Sequence, residues 1–155
     1  VMTTIKLSYP QDAETVFKFL ADPETARRRS VDFGEEDIKV TTQGATVINV
    51  RKVASEVPSF AKKFLNPKNV VTDTKAWNAA SKTAALTVDI AGAPLKMSGN
   101  IKIVPAGSGC DYIIDFTMKC SIPLVGGQIE KHATGVSEEG MRREYEWNKA
   151  QLAKL

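Results

Sequence analysis

One helical pattern, unbroken by proline, closes a chain that otherwise reads as strands. It follows Ile122-Pro123-Leu124-Val125-Gly126-Gly127-Gln128-Ile129-Glu130 and continues to Leu155, with no proline after Pro123. A single long helix ending a β-rich chain must bury its apolar side, and the only large apolar surface on offer is a sheet. At about 100° per residue, Ile129, Ala133, Val136, Gly140 and Trp147 share a narrow stripe, with Arg143 and Glu144 at its two edges. Small side chains at 133, 136 and 140 permit two arrangements. They let the helix lie close on the sheet, or they leave a void beneath it. Ligand pockets are concave and mostly apolar with a few polar groups, so the void is the expectation adopted here. Gly140 faces inward and Gly135 does not, which puts the demand for space or close packing at Gly140.

The segments before that helix alternate in hydrophobicity. Residues 3–9 place Ile5, Leu7 and Tyr9 on one side of a strand. Asp12 is a candidate N-cap for a short helix carrying Ala13, Val16, Phe17 and Leu20. Asp22-Pro23-Glu24 is a second helix start, with a capping acid, proline at the first helical position and an acid at the positive end of the dipole. Strands are predicted at 38–40, 46–53, 70–77, 83–90, 97–104 and 111–120. In the last of these Tyr112, Ile114, Phe116, Met118 and Cys120 share a face. The connectors are short and rich in turn residues, as in Ala91-Gly92-Ala93-Pro94, so the strands form an antiparallel meander with one buried and one wet face. Residues 57–65 interrupt the strands with a helical pattern that puts Phe60 and Phe64 one turn apart. The fold class is therefore α+β: a curved antiparallel sheet of about seven strands wrapped around a long C-terminal helix, with two short helices after the first strand. Residues 1–155 form a single domain.

Composition excludes several function classes. A chain of 155 residues with 43% hydrophobic and 25% charged residues builds a core without metal or disulfide support. Cys110 and Cys120 lie in or beside one strand, roughly 33 Å apart when extended, far beyond the ~7 Å that a disulfide spans. Free thiols, no apolar N-terminal leader pattern and no membrane-length apolar run lead to the expectation of a cytoplasmic protein without stable membrane insertion. A net charge of +3 is too mild to argue for nucleic acid. Arg27-Arg28-Arg29 is the only basic run, and it reads as a solvated helix face.

The opening Tyr9-Pro10, Val16-Phe17 and Leu20-Ala21-Asp22-Pro23 resemble the first helix and its exit in the START-like (Bet v 1-like, helix-grip, SRPBCC) superfamily. The set Val57-Pro58, Phe64-Leu65, Trp77, Gly92-Ala93-Pro94 and the 122–130 string is similar to a bacterial START-like family catalogued only as a domain of unknown function. The resemblance covers nearly the whole chain. It implies the helix-grip fold and a cavity between helix and sheet; members of the superfamily hold sterols, lipids, polyketides or hormones there, and some are cyclases.

The candidate ligand-binding residues are Tyr112, Ile114, Phe116 and Met118 on the last strand, Ile129, Ala133, Val136, Gly140 and Arg143 on the last helix, and Phe60 and Phe64 on the interrupting segment. A one-residue register slip would exchange each strand residue for its neighbours on the opposite face. Arg143 either receives an anionic head group or pairs with Glu139 four residues earlier. Phe60, Phe64 and Leu65 beside Lys62, Lys63 and Lys68 either form a lid or plug the open end of the sheet. His132, the only histidine, has no readable partner for catalysis, and no cluster at ligand spacing suits zinc or iron. No catalytic residue, metal or cofactor is assigned. The partner expected is a small hydrophobic or lipid-like molecule, bound without catalysis. The alternatives are a polyketide-cyclase-like enzyme using the same cavity, or a protein-interaction module using the same groove.

Overall fold

A computed structural model describes residues 2–155. The order of elements is β1 (Thr3–Tyr9), α1 (Ala13–Ala21), α2 (Pro23–Asp32), β2 (Glu36–Gln43), β3 (Thr46–Ala54), β4 (Lys68–Asn78), β5 (Thr83–Ile90), β6 (Leu95–Ala106), β7 (Gly109–Cys120) and α3 (Gly126–Leu152). The strands form one seven-stranded antiparallel sheet in the order β1-β7-β6-β5-β4-β3-β2. The meander from β2 to β7 is closed by β1, which pairs with β7 from Thr3↔Phe116 to Tyr9↔Cys110.

Local chemistry explains the helices. Asp12 accepts from the Thr15 amide at 2.7 Å to start α1, and Asp22 accepts from the Glu24 amide at 2.9 Å to start α2 beside Pro23. The start of α3 has no side-chain cap; instead Leu124 adopts φ 72° and Gly126 packs under the Cys120 carbonyl. The carboxylate of Glu130 reaches back to accept from the Cys120 amide at 2.8 Å, which fixes the first turn of α3 to the end of β7.

The core lies on the concave face. It joins Ile5, Leu7 and Tyr9 of β1, the alternating 110–118 row of β7, Met97, Ile101 and Ile103 of β6, and Ile129, Ala133 and Leu152 of α3. Gly99 sits where β6 meets Phe116 on β7; a Cβ there would collide with the Asp115 carbonyl and the Phe116 backbone. Cys110 and Cys120 are both free. Among the described residues no helix is long and apolar enough to cross a membrane.

Two local expectations change. The helical pattern at 57–65 yields only a 3₁₀ turn, Ser59–Ala61, opened by Pro58 without a side-chain cap. Phe60 and Phe64 consequently do not share a face. Phe60 is exposed and meets the His132 ring edge-on at 6.4 Å, while Phe64 packs against the core. The basic run is not wholly solvated either. Arg27 and Arg28 are exposed, but Arg29 is buried, because α2 turns that position toward α3.

Candidate functional site

The helix α3 rests on β7 and β1, not on the whole sheet. Ile129 and Ala133 are buried there, as are Asn148 and Leu152 near the other end. Between them the sheet curves away, and the middle of α3 stands off β3, β4 and β5. Val136 is 44% exposed, and a Cβ built on Gly140 would meet nothing within 4 Å. The small residues of α3 thus border open space.

That space is a cleft with two unlike ends. The apolar end has a volume of about 230 Å³ and is lined by Val53, Leu65, Val71, Val88, Ile90, Leu95, Met97, Met118, His132, Ala133 and Val136, among others. Leu65 comes from the segment after the 3₁₀ turn and so helps close this end. The other end comprises two adjoining chambers of about 160 and 360 Å³ that share Leu20, Arg29, Arg51, Asp73, Lys75, Trp77, Gly140 and Glu144. Val88, Met97 and Ser137 border both the apolar end and the first of these chambers, so the cleft is continuous.

Strand alternation builds the polar end. On β4 the row Val71, Asp73, Lys75, Trp77 shares the face of buried Trp77, and on β3 the row Val47, Asn49, Arg51, Val53 shares the face of buried Val47. The register sets Asn49 opposite Asp73 and Val47 opposite Lys75. Most of the charges there are paired. Arg29 Nε lies 2.9 Å from Glu144 Oε1, and Arg29 Nη1 donates to Asn148 Oδ1 at 3.1 Å. Asn148 Nδ2 in turn donates to the Tyr9 hydroxyl at 3.2 Å. Arg51 Nε stands 3.4 Å from Glu35 Oε1, and Asn49 Nδ2 donates to Ser30 Oγ at 3.1 Å. The Trp77 Nε1 donor and the Asn49 Oδ1 acceptor are buried without a partner.

The electrostatics follow from these neighbours. Burial pushes the Glu144 carboxyl up, but Arg29, then Lys75 and Arg51, outweigh it and hold the group below its ordinary range. Burial raises the hydroxyls of Tyr9 and Tyr112 far above the ordinary tyrosine value, so both stay protonated at neutral pH and are not bases.

The residues singled out from the sequence fall into five places. Tyr112 and Ile114 line the polar end, Met118 and Ala133 the apolar end, and Val136 and Gly140 the open wall of α3. Phe116 and Ile129 are fully buried in the core and line no part of the cleft. Phe60 lines only a shallow outer groove beside His132 and Gly135. Arg143 borders the polar end, yet its guanidinium lies over the Phe33 ring at 4.1 Å instead of pairing with Glu139, because Phe33 at the end of α2 offers an aromatic face within reach. Sequence reasoning missed Arg29, Arg51, Asp73 and Lys75. The signal for the β4 pair was the period-two spacing back from Trp77, which assigns 75 and 73 to its face. Among the described residues no group of three or more His, Cys, Asp or Glu side chains is placed to hold a metal ion.

A curved seven-stranded antiparallel sheet gripping a long C-terminal helix, with a cleft between them, defines the helix-grip (Bet v 1-like) fold class. Within that class, the chain belongs to the family described as "Protein of unknown function (DUF2505)", whose model matches residues 4–150. No curated protein matches the chain in sequence. Among solved structures it is similar to the protein TTHA0849 from Thermus thermophilus, with a TM-score of 0.73, 14% identity, and 99% of this chain and 98% of that one covered. It is also similar to the ZhuI aromatase/cyclase from Streptomyces sp. R1128, with a TM-score of 0.70, 12% identity, and 99% and 94% covered. A third is norcoclaurine synthase from Thalictrum flavum, solved in complex with dopamine and hydroxybenzaldehyde, with a TM-score of 0.65, 13% identity, and 99% and 87% covered. At such identities the likeness establishes the fold alone.

Proposed function

We propose that the protein binds a small hydrophobic or lipid-like molecule in the cleft between α3 and the concave sheet. The observation that carries this reading is the apolar end, about 230 Å³ walled by Val71, Val88, Met97, Met118, Ala133 and Val136 and continuous with a polar end. Burial of an apolar ligand there is driven at about 25 cal/mol per Å² of surface removed from water. The small residues of α3 keep the space free. The superfamily habit of holding ligands between helix and sheet agrees with this use of the fold.

A second reading is favoured by one observation, the convergence of Asp73, Lys75 and Glu144 on the same cleft. Such groups can move protons on a bound substrate, as a cyclase-type reaction requires. Binding is common to both readings, and it is the step to test. Titration with the neutral fluorescent probe N-phenyl-1-naphthylamine is expected to give saturable enhancement at one site per chain. Replacing Val136 with Trp should fill the apolar wall and remove that enhancement. Linear, unsaturable fluorescence in the wild type, or saturation unchanged in the variant, would overturn the proposal.

A further inference from the structure

Within the cleft, β4 presents two charges that make no direct ion pair or hydrogen bond, although Lys75 feels the Glu144 carboxylate across the same chambers. Arg29 is closed by Glu144 and Asn148, and Arg51 faces Glu35 at 3.4 Å, although its Nε makes no hydrogen bond. Asp73 and Lys75, two residues apart on the same face of β4, border both polar chambers and are only half-buried. Among the described residues neither has an oppositely charged side chain within ion-pair distance, and neither side chain makes a hydrogen bond within the protein. They do not pair with each other either: among the described residues their charged atoms are not within ion-pair distance. A carboxylate and an ammonium held side by side and unsatisfied ask for a group that donates to one and accepts from the other. A neutral hydroxyl does both. An anionic head would satisfy Lys75 and meet Asp73 as a like charge, and a cationic head would do the reverse.

The position of the pair relative to the apolar end fixes the rest of the ligand. Val71 precedes Asp73 on the same face and lines the apolar end, and Val88 pairs in register with Asp73 while bordering both ends. A molecule whose apolar body lies over Val71, Val88 and Met118 therefore brings its head to Asp73 and Lys75 about two strand residues away. Resting on the cleft reading above, we infer that the ligand is a neutral hydroxylated amphiphile, an alcohol or phenol, whose hydroxyl donates to the Asp73 carboxylate and accepts from the Lys75 ammonium. This goes beyond a general preference for apolar molecules, since it selects against both fatty acids and amines.

The test is displacement of bound N-phenyl-1-naphthylamine by three probes with one tail: 1-octanol, octanoate and octylammonium. Any apolar cleft disfavours ions to some degree, so the response of two variants decides. In the wild type octanol is expected to displace the probe at the lowest concentration. In Asp73→Asn the carboxylate nearest Lys75 along β4 is gone, and with Glu144 already held by Arg29 octanoate should improve about tenfold relative to octanol, the worth of one charge-assisted hydrogen bond. In Lys75→Met the unopposed Asp73 should improve octylammonium by a similar factor. Far-UV circular dichroism and thermal unfolding establish that each variant is folded; Asp73→Ser and Lys75→Gln serve as second variants should either fail. Unaltered relative affinities of the three probes across folded variants would overturn the hydroxyl assignment and leave the cleft reading standing. Octanoate or octylammonium binding the wild type more tightly than octanol would overturn it too. Failure of the naphthylamine to bind the wild type at all would overturn the cleft reading itself.

Discussion

Arg29 and Glu144 meet across the top of the cleft, with the Arg29 Nε 2.9 Å from Glu144 Oε1, and so tie α2 to the middle of α3. Asn148, one turn further along α3, takes a second bond from the same guanidinium. Loss of the carboxylate leaves a nearly buried cation with one neutral partner. Glu144→Gln is therefore expected to lower the unfolding free energy by about 2 kcal/mol, less than for a fully buried pair because the carboxylate is partly wetted. Arg29→Met combined with Glu144→Met should recover much of that loss. Denaturant unfolding measures both, and an unchanged midpoint in the single variant would show that the pair adds nothing.

The same pair carries a pH dependence of defined sign. The folded pKa of Glu144 is lowered from its usual 4.5 by Arg29, Lys75 and Arg51, against the opposing effect of burial. A lowered folded pKa adds stability that is fully present above the unfolded value and is lost as pH falls through the folded one. The stability gap between wild type and Glu144→Gln is thus expected to be constant at neutral pH and to shrink on acidification below the usual carboxylate range. A gap that persists through that range would assign the effect to packing instead.

Gly140 separates helix stability from cleft volume. A Cβ there meets nothing within 4 Å, and the residue lies in the interior of α3 with an ordinary helical backbone. Gly140→Ala should raise stability by about 0.5–1 kcal/mol through helix propensity. Gly140→Phe should leave the fold intact and weaken uptake of N-phenyl-1-naphthylamine by projecting into the polar chambers that adjoin the apolar end. Thermal unfolding and probe titration on the two variants read these effects separately.

The two thiols should differ in reactivity. Cys110 is buried, and burial, with help from Asp111 and Asp12, pushes its thiol up to about 11. The thiolate is the reactive form, so at pH 8 Cys110 is both inaccessible and protonated. Iodoacetamide followed by peptide mass analysis is expected to label Cys120 first and Cys110 only after unfolding. Equal labelling of both in the folded protein would contradict the placement of β7.

Much of the fold was legible because its signals are local. Asp12 and Asp22-Pro23 mark helix starts, alternation from Tyr112 to Met118 marks a strand with one buried face, and the absence of proline after Pro123 marks one long helix. The site was less legible. Residues 46–53 and 70–77 read plainly as strands, but their inner faces carry Asn49, Arg51, Asp73 and Lys75, the polar residues that alternation ordinarily assigns to water. A cleft that admits water lets a concave face be polar, and only the anchoring Val47 and Trp77 reveal which side is which. Arg29 was hidden in a run of three arginines, where one position of the three points inward and composition does not say which. Phe60 and Phe64 separated because the segment around them forms a 3₁₀ turn, whose geometry does not stack residues four apart.

The central claim is that the cleft, and not the outer surface, receives an apolar molecule. Its most direct test is an amide and methyl chemical-shift titration of the isotope-labelled protein with N-phenyl-1-naphthylamine. The expected result is saturable shifts concentrated at Val71, Val88, Met97, Met118, Ala133 and Val136, the wall of the apolar end. Shifts confined to exposed Phe60, Leu124 and Val104, or scattered without saturation, would contradict it.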